Sequence, residues 1–412
     1  MIQNFNISNI KGISLEEKKL REESLRLFEK SGFPNKRIEE WKFTDLNKII
    51  TDNFKELSTN NLLPNINNIE KIKDFDHNFI VLIDGKLDSK NFKYEDKKFI
   101  KIENYKEDLI KNASTQNPLL NLNNALHEGG FFLEISSNYK VNKPLVIYNY
   151  FSNSIQNKIV NNKNLIVLNE NSELKIVEFN LDSVKENYIQ NNHTNIKISK
   201  NSTLKNYTVQ GCKSNGFYYK FIKCLLNEKS NYEDYIFSSG LKFNRIEEDV
   251  DIIGEESNCT IQSALSLDVD SHQEIKTQIN HLKPNCTSYQ KIKNVLNKNC
   301  KGAFQGKIFV KDVAQKTDAY QLSKALILNE SSEFNAKPEL EIYADDVKCS
   351  HGSTSGSMNE DSIYYLMSRG ITRKNAMELL IKAFLFEVAD SIKDDEIKKF
   401  IEKNLDRQIY GY

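Results

Sequence analysis

The sequence lacks an excess of charge of either sign, because 57 Lys and Arg residues balance 57 Asp and Glu residues. Proteins that bind nucleic acid or anionic membranes usually carry surplus basic residues, so this balance indicates neither partner. No stretch approaches the roughly eighteen apolar residues that a transmembrane helix needs, and we expect no membrane span. The N-terminus, MIQNFNISNIKGISLEEKKL, also lacks the basic and apolar regions of a signal peptide. We therefore expect a soluble, cytoplasmic protein.

Cysteine is scarce, and none of its occurrences forms a C-x-x-C pair or a zinc-finger spacing. The six cysteines are Cys212, Cys224, Cys259, Cys286, Cys300 and Cys349. Scattered cysteines in a chain without a secretion signal predict reduced thiols. A G-x-x-x-x-G-K-[ST] loop is also absent, so the sequence gives no indication of nucleotide hydrolysis.

The first part of the chain carries a helix start signal and a helix stop signal. Ser14 and Glu17 have capping-box spacing, which predicts a helix that begins after Ser14. Gly32, two residues before a proline, predicts its end. The next segment, 34–46, contains the only tryptophan. Trp41 is either a binding residue or an aromatic side chain that packs a helix end against its neighbour, and we favour packing.

The middle of the chain, from Gly129 to about Tyr343, is built from short runs rich in Val, Ile, Tyr and Phe. Each run opens with a small polar tag. Examples are NSELKIVEF (171–179), NSTLKNYTV (201–209), KSNYEDYIF (229–237), SNCTIQSALSL (257–267), NCTSYQKIKNV (285–295) and NCKGAFQGKIFV (299–310). The tags follow one another at spacings of 30, 28, 28, 28 and 14 residues.

This spacing favours a solenoid of stacked β-coils, in which each strand pairs in parallel with the strand one turn away. An all-β sandwich is the alternative, and it would place turns about every 8–12 residues. Cys259, Cys286 and Cys300 lie at or beside the tags. Because buried cysteine packs as a small apolar residue, we expect these three to stack in the core. The sequence thus predicts a mainly β chain with a β-helix at its centre.

After Gly356 the pattern becomes helical. Asn359 is positioned to cap one helix, Gly370 to end it, and Thr372 to cap a longer one, while Asp394 begins the last helix. The longer helix has one apolar face with i, i+3, i+4, i+7 spacing and a second apolar stripe beside it. The first face consists of Ala376, Leu379, Leu380, Ala383, Phe384 and Val388, and the second of Ile381, Leu385 and Ala389. We expect burial on more than one side, within a bundle or against a partner.

The stretch DDVKCSHGSTSG (345–356) combines a thiol and an imidazole on a polar background. If KPELEIYADDVKCSHG is the last strand of the coil, its alternation places four side chains on one face. These are Asp345, Val347, Cys349 and His351. Side chains two residues apart on a strand lie about 7 Å from each other, so Cys349 and His351 can both reach one bridging group. Thiolate and imidazole bind iron–sulfur clusters and borderline metals.

Two ligands do not complete a tetrahedral site, and the sequence shows no second Cys or His cluster with matching spacing. The remaining ligands therefore come from elsewhere in the fold or from another chain. A terminal strand has unpaired N–H and C=O groups that bind a further strand, which favours a site shared between subunits. As an alternative, Cys349 is a nucleophile whose pKa a nearby cation lowers, while Asp345 and Asp346 oppose that change. No known thiol-enzyme signature surrounds it.

Residues 305–356 and YYLMSRGI (364–371) closely resemble the C-terminal signature of the SufD branch of the SufB/SufD family. Members of this family are subunits of the bacterial Suf machinery for iron–sulfur cluster assembly. Segments 34–46, 119–148 and 279–296 resemble the family too. The SufB branch has a histidine followed by Glu-Ala-Thr and lacks the DDVKCSHG run. A small departure from the SufD pattern is the Ser-Thr-Ser that follows CSHG, where Ala-Thr-Val is commoner.

The resemblance implies a right-handed parallel β-helix flanked by helical N-terminal and C-terminal domains. We expect these three regions at 1–125, 126–352 and 353–412, the last of them docking SufC. The resemblance further implies a non-catalytic scaffold subunit of the SufBCD complex, in which ATP hydrolysis belongs to SufC. Such a subunit pairs with SufB through the end strands of the two β-helices, and alone it can form a homodimer.

The resemblance also assigns functional residues. His351 and its companion Cys349 correspond to the place where a transient iron–sulfur cluster, shared with a cysteine of SufB, is assembled. The helix 360–369 and the glycine after it correspond to the SufC-binding region. The residues of that region are Tyr365, Leu366, Arg369 and Gly370. We expect the lone chain to bind no cluster.

Two other functions stay open on the sequence. A β-helix enzyme, such as a polysaccharide lyase or an acyltransferase, has little support, because there is no Asp-rich repeat for calcium and no six-residue period. The second is a purely structural partner of SufB, whose motif preserves only a strand edge. In that case neither Cys349 nor His351 acts as a ligand.

Overall fold

The computed structural model describes residues 2–10, 13–59, 66, 69–106, 115–211 and 214–409. The strands are β1 (Ile2–Asn4), β2 (Glu56–Thr59), β3 (Asn78–Ile83), β4 (Lys86–Leu87), β5 (Ile100–Asn104), β6 (Phe131–Ile135), β7 (Leu145–Phe151), β8 (Lys158–Leu168), β9 (Glu173–Asp182), β10 (Tyr188–Ile198), β11 (Thr203–Gln210), β12 (Ser214–Leu226), β13 (Asn231–Ser239), β14 (Leu241–Ile252), β15 (Asn258–Leu267), β16 (His272–His281), β17 (Thr287–Leu296), β18 (Lys301–Val310), β19 (Asp318–Ile327), β20 (Glu333–Ile342) and β21 (Lys348–Ser357). The helices are α1 (Leu15–Ser31), α2 (Leu46–Asn53), α3 (Pro118–Leu126), α4 (Glu360–Ser368), α5 (Arg373–Ala389) and α6 (Asp395–Ile409). None of the helices within the described ranges has both the length and the apolar character needed to cross a membrane.

The strands of the coil alternate between two sheets, which we call sheet A and sheet B. Sheet A contains the even-numbered strands from β8 to β20, and sheet B contains the odd-numbered strands from β7 to β21. Within each sheet, consecutive members pair in parallel, one turn of the coil apart. At the N-terminal end of the coil, β6 joins β8 in sheet A, and β3 joins β7 in sheet B. The parallel pairing of strands one turn apart confirms the predicted β-solenoid and excludes the sandwich.

The polar tags of the sequence form the corners of the coil. At one corner of successive turns, a residue other than glycine has a φ of 55° to 59°. These residues are Asn171, Asn201, Lys229, Glu256, Asn285 and Lys316. Asparagine tolerates this left-handed conformation better than most residues, which accounts for the Asn in the tags. The half-step of 14 residues leads from Asn285 to Asn299, which lies at the opposite corner and precedes β18 of sheet A.

The interior of the coil is filled by columns of side chains that stack from turn to turn. One column of sheet B consists of Leu174, Leu204, Tyr232 and Cys259, which are all buried. Cys286 and Cys300 are buried at corners of the coil. Cys286 directly precedes β17 and occupies the same corner position that Ser257 occupies before β15, one turn earlier. The predicted core position of the three cysteines at 259, 286 and 300 is confirmed. Cys212 lies outside the described residues.

Charged side chains interrupt the apolar interior midway along the coil. Lys220 Nζ donates to both carboxylate oxygens of Glu178, at 2.7 and 2.8 Å. Asp234 and Glu248 are buried beside this pair, and Tyr232 OH lies 3.3 Å from a carboxylate oxygen of each. Burial raises the pKa of Asp234 to about 6 and that of Glu248 well above its ordinary value. We call Glu178, Lys220, Asp234 and Glu248 the buried charge cluster.

The N-terminal region packs on the outer face of sheet A. Helix α1 begins after Ser14, whose Oγ accepts a hydrogen bond from Glu17 N at 3.1 Å, and it ends at Gly32 with a φ of 68°, as predicted. Trp41 is only 2 % exposed. The guanidinium of Arg245, a buried residue of β14, lies 3.8 Å from the centroid of the Trp41 ring. The packing interpretation of Trp41 is therefore confirmed.

The C-terminal helices pack on the outer face of sheet B, against side chains such as Tyr235 and Phe237. The predicted caps are confirmed, since Asn359, Thr372 and Asp394 each accept a backbone N–H of the helix that follows. The buried side chains of α5 are Ala376, Ile381, Leu385, Val388 and Ala389. Of the first predicted face, Ala376 and Val388 are buried, whereas Leu379 is 46 % exposed, so only part of that face packs against the chain itself. The second stripe faces the sheet, because the aromatic side chains of sheet B contact that side.

Candidate functional site

The coil ends at an open rim formed by β20 and β21. In the part of the chain that the structure describes, β20 pairs only with β18, and β21 pairs only with β19. The outer edge of each strand therefore presents backbone N–H and C=O groups without a strand partner. Such an edge binds a further strand from another chain when nothing covers it. We call these two outer edges the open rim.

The segment KPELEIYADDVKCSHG is divided between the two strands of the rim. Its first six residues end β20 in sheet A, and its last five begin β21 in sheet B. Residues 343–347 form the corner between them, where Lys316 N donates to Asp346 O at 2.6 Å. The prediction of one continuous strand is therefore wrong, and the alternation does not extend back to Asp345 and Val347. A coil of two sheets needs a corner after each strand of about ten residues, and this segment supplies it.

Cys349 and His351 lie on β21 and face the interior of the coil. Cys349 is in register with Ala319 of β19, and His351 is in register with Gln321. Ala319 and Gln321 are both buried inside the coil, which fixes the inward direction of this set of side chains. Cys349 is half-buried against the apolar cluster at the end of the coil, whereas His351 is exposed. The structure thus brings the two predicted ligands to one face of one strand, at the open end of the stack.

The surroundings of Cys349 keep its thiol protonated. Burial raises its pKa, the Asp318 carboxylate raises it further, and only a hydrogen bond with the backbone of Ala319 opposes this shift. An activated nucleophile needs the opposite shift, because the thiolate is the reactive form. The raised pKa therefore counts against the nucleophile alternative, and a metal ligand at Cys349 would require the metal to displace the proton.

The rim residues of this chain form an incomplete ligand set. Within the described ranges, no three side chains of His, Cys, Asp or Glu are grouped so that they could hold a metal ion. Cys349 and His351 provide fewer ligand atoms than a tetrahedral centre needs. The chemistry of the pair, a soft sulfur beside an imidazole, fits iron in a sulfur-rich centre that other groups complete.

Small residues continue along β21 beyond the ligand pair. Ser353 Oγ accepts a hydrogen bond from Ser323 Oγ at 2.8 Å, which ties β21 to the turn below. Gly356 has no heavy atom within 4 Å of the position that a Cβ would occupy. A strand with so few bulky side chains allows close approach of another backbone.

The second group of predicted site residues lies on α4 and directly after it. Tyr365 is 57 % exposed, and Arg369 Nη2 donates to its hydroxyl at 3.4 Å. Leu366 is half-buried, and Gly370, with a φ of 88°, is exposed. Other large apolar side chains are exposed nearby on α4 and α5. They are Tyr364, Met367 and Leu379. The surface is therefore aromatic and apolar, with one cation, and nothing in the described part of the chain covers it.

Sequence reasoning missed one residue of the rim. Gln321 is completely buried directly beneath His351, and its Oε1 has no hydrogen-bond partner. No pattern in the sequence marks Gln321, and its position beneath His351 follows only from the register of β19 and β21. A glutamine within a strand is otherwise unremarkable.

Two sequence models of one protein family match this chain. Residues 150–384, more than half of the chain, match the model described as SUF system FeS cluster assembly, SufBD core domain. Residues 12–147 match the SufBD protein N-terminal region. The rim strand β21 and helix α4 lie within the first of these matches.

Individual proteins are similar over most of the length. The chain is 24% identical over 392 residues to the iron-sulfur cluster assembly protein SufD of Escherichia coli K12, covering 93% of this chain and 90% of that protein. It is 24% identical over 404 residues to the chloroplastic protein ABCI7 of Arabidopsis thaliana, covering 93% and 84% respectively. A shorter match of 41% identity over 123 residues, 30% of this chain and 26% of the relative, involves an iron-sulfur cluster assembly SufBD family protein of Synechocystis.

Proposed function

Because this chain belongs to the SufBD family of iron–sulfur cluster assembly proteins, we propose that it is a scaffold subunit on which a cluster forms together with a second chain. The observation that supports this most directly is the position of Cys349 and His351. Both lie on the last strand of the coil, on its inward face, beside an edge that pairs with no other strand of the described residues. The cluster is the cargo of such a subunit, and the lone chain supplies only part of its ligands.

The proposed partner at the open rim is SufB. A second β-helix that adds its end strands to β20 and β21 would satisfy the free backbone groups of both edges. It would also bring its own ligands over Cys349 and His351, which completes the centre. When SufB is absent, a second copy of this chain can occupy the same edge, which gives a homodimer.

The proposed partner at α4 is the ATPase SufC. The surface formed by Tyr365, Leu366, Arg369 and Gly370 is exposed, and aromatic residues with an arginine are common in the centres of protein interfaces. On this proposal the chain hydrolyses nothing itself, and SufC supplies the ATPase activity of a cytoplasmic SufBCD complex. The regions 126–352 and 353–412 then correspond to the coil and to the SufC-docking part.

The test is anaerobic assembly of a cluster on the purified complex of this chain with SufB and SufC, with iron and sulfide supplied. We expect His351→Ala to leave folding and co-purification unchanged and to lower the cluster yield by about tenfold or more. His193→Ala is the matched control, because His193 lies on β10, several turns away from the rim. An undiminished yield in the His351 variant would remove this residue from the mechanism.

A second candidate is a purely structural partner of SufB without a ligand role. The row of small residues along β21 favours it, because a flat edge is enough for strand pairing. Absorption spectra of the loaded complex separate the two functions. A ligand change at His351 shifts the charge-transfer bands of the cluster, whereas a passive edge leaves them as they are.

A further inference from the structure

Three inward positions of sheet B stack directly beneath one another at the end of the coil. They are Gln290 of β17, Gln321 of β19 and His351 of β21. A matching column lies in sheet A, and it consists of Thr277, Gly306 and Pro338. Each of the last three turns therefore has one polar inward side chain of sheet B in this column, and the sheet A column faces it.

The two glutamines differ in their hydrogen bonds. In the lower turn, Thr277 Oγ1 donates to Gln290 Oε1 at 2.5 Å. One turn higher, glycine replaces threonine at 306, and Gln321 Oε1 has no donor although the side chain is completely buried. Gln321 Nε2 is engaged, because it lies 3.4 Å from the carbonyl oxygen of Glu339. The turn formed by β18 and β19 therefore contains a buried acceptor, Gln321 Oε1, that receives no hydrogen bond.

Gly306 makes room for this acceptor. A Cβ at position 306 would overlap Gln321 Oε1 and the ring of Phe304. The amide oxygen thus occupies the space that a side chain of sheet A would otherwise fill. A buried acceptor without a donor is unfavourable, and a folded chain keeps one chiefly where something else uses it.

His351 is the next inward residue of sheet B above Gln321, because the two are in register on β21 and β19. Neighbouring strands lie about 4.8 Å apart, so side chains in register on one face are within contact distance. A neutral imidazole carries a hydrogen on one ring nitrogen and a lone pair on the other. An acceptor that binds the N–H therefore decides which nitrogen has the lone pair available for a metal.

We propose that Gln321 is a positioning residue for His351. The two side chains are not hydrogen-bonded in the structure, and rotation of the exposed His351 ring would bring its N–H to the free Gln321 Oε1. That bond would hold the imidazole in one tautomer and turn the other nitrogen, with its lone pair, toward the open rim. This inference rests on the proposed ligand role of His351, and it adds the residue that orients that ligand. Metal-binding histidines commonly use their second ring nitrogen in this way.

The test measures the tautomer of His351 in the lone chain, before any cluster is assembled. The chain has only six histidines, so selective ¹⁵N labelling of histidine gives few imidazole signals, and His351→Ala identifies the one of interest. At mildly alkaline pH we expect one tautomer to dominate in the wild type. In Gln321→Leu the ¹⁵N shifts of His351 should move to the tautomer mixture of free histidine.

Two further variants separate positioning from a general effect on folding. Gln290→Leu makes the same change one turn lower, at an equally buried site, and should leave the His351 signals unchanged. Gly306→Ser displaces Gln321 Oε1 and offers it a hydroxyl donor, so it should shift the His351 tautomer without any change at 321. Equal spectra for wild type, Gln321→Leu and Gly306→Ser would overturn the inference, as would an equal shift in Gln290→Leu.

The complex gives the second readout. In cluster assembly with SufB and SufC, Gln321→Leu should lower the yield by about tenfold, whereas Gln290→Leu should not lower it. If the tautomer responds to Gln321 but His351→Ala assembles normally, the positioning inference holds and the proposed function fails. If His351→Ala abolishes assembly while the tautomer ignores Gln321, the proposed function holds and the inference fails.

Discussion

The middle turns of the coil and its last turn use the same strands and corners but place their inward side chains in different environments. Ile261 of β15 and Gln290 of β17 are completely buried, because each strand has a neighbour above and below. On β21 the inward residues Cys349 and His351 are half-buried and exposed, because one neighbour is missing. The comparison teaches that stacking decides the burial of the inward side chains in this fold. Reactive side chains are therefore accessible where the stack stops.

Charges show the same contrast. The buried charge cluster lies inside the middle turns, where the buried Lys220 pairs with the largely buried Glu178. At the rim, Lys348, Asp345 and Asp346 are all exposed. Water stabilises the rim charges, whereas each charge of the middle turns depends on its partner. The predictions below test this contrast, beginning with the largest effect.

The largest effect is expected from Lys220→Met. The change leaves the Glu178 carboxylate, which is only 15% exposed, without its partner. Breaking a buried ion pair lowers the free energy of unfolding by about 3–5 kcal/mol, and we expect an effect at the lower end of that range. Lys348→Met is the matched rim variant, and its unfolding midpoint should equal that of the wild type. Urea unfolding followed by circular dichroism measures both. Similar midpoints for the two variants would contradict the claim that charges in the middle turns depend on their partners more than charges at the rim do.

The next effect concerns pH. Burial raises the pKa of Asp234 from 3.8 to about 6, so the folded chain binds this proton more tightly than the unfolded chain does. Stability from this group is then present below about pH 4 and falls as the pH rises to about 6, by roughly 3 kcal/mol. Asp234→Asn should lack this slope and be the less pH-dependent variant. Unfolding midpoints at a series of pH values decide it, and equal slopes would contradict the assignment.

The smallest effect is expected from Cys349→Ala at the rim. The thiol is only half-buried, so we expect a loss of less than about 1 kcal/mol in unfolding free energy. In cluster assembly the yield should fall by less than about tenfold, because water or another ligand can replace one supporting thiol. A loss as large as that of His351→Ala would show that the two residues are equal ligands, which sharpens the account of the rim.

The coil was predictable because its corners leave a local signal. Tags with Asn171, Asn201 and Asn285 lie at the same corner in different turns of the coil, and asparagine accepts the left-handed conformation that this corner needs. Lys229 and Glu256 adopt the same conformation without any propensity for it, so the fold imposes the corner there. The buried cysteines were predictable for a related reason, since they lie at fixed places beside the tags.

Features that depend on distant contacts were not predictable. The corner at 343–347 resembles a strand in sequence, and only the pairing of β20 and β21 with different sheets reveals it. Helix α5 has two apolar stripes, and contacts with sheet B bury the second stripe completely but the first only in part. The pairing of His351 with Gln321 joins residues 30 positions apart in the chain, a distance that no local pattern encodes.

The two ends of the solenoid are not equivalent. At the N-terminal end, β5 runs antiparallel to β6 and β4 antiparallel to β3, and β4 contains only two residues. Short and reversed edge strands are poor templates for a further chain. Among the described strands, those at this end therefore differ from β20 and β21 as templates for strand addition, which the rim favours more.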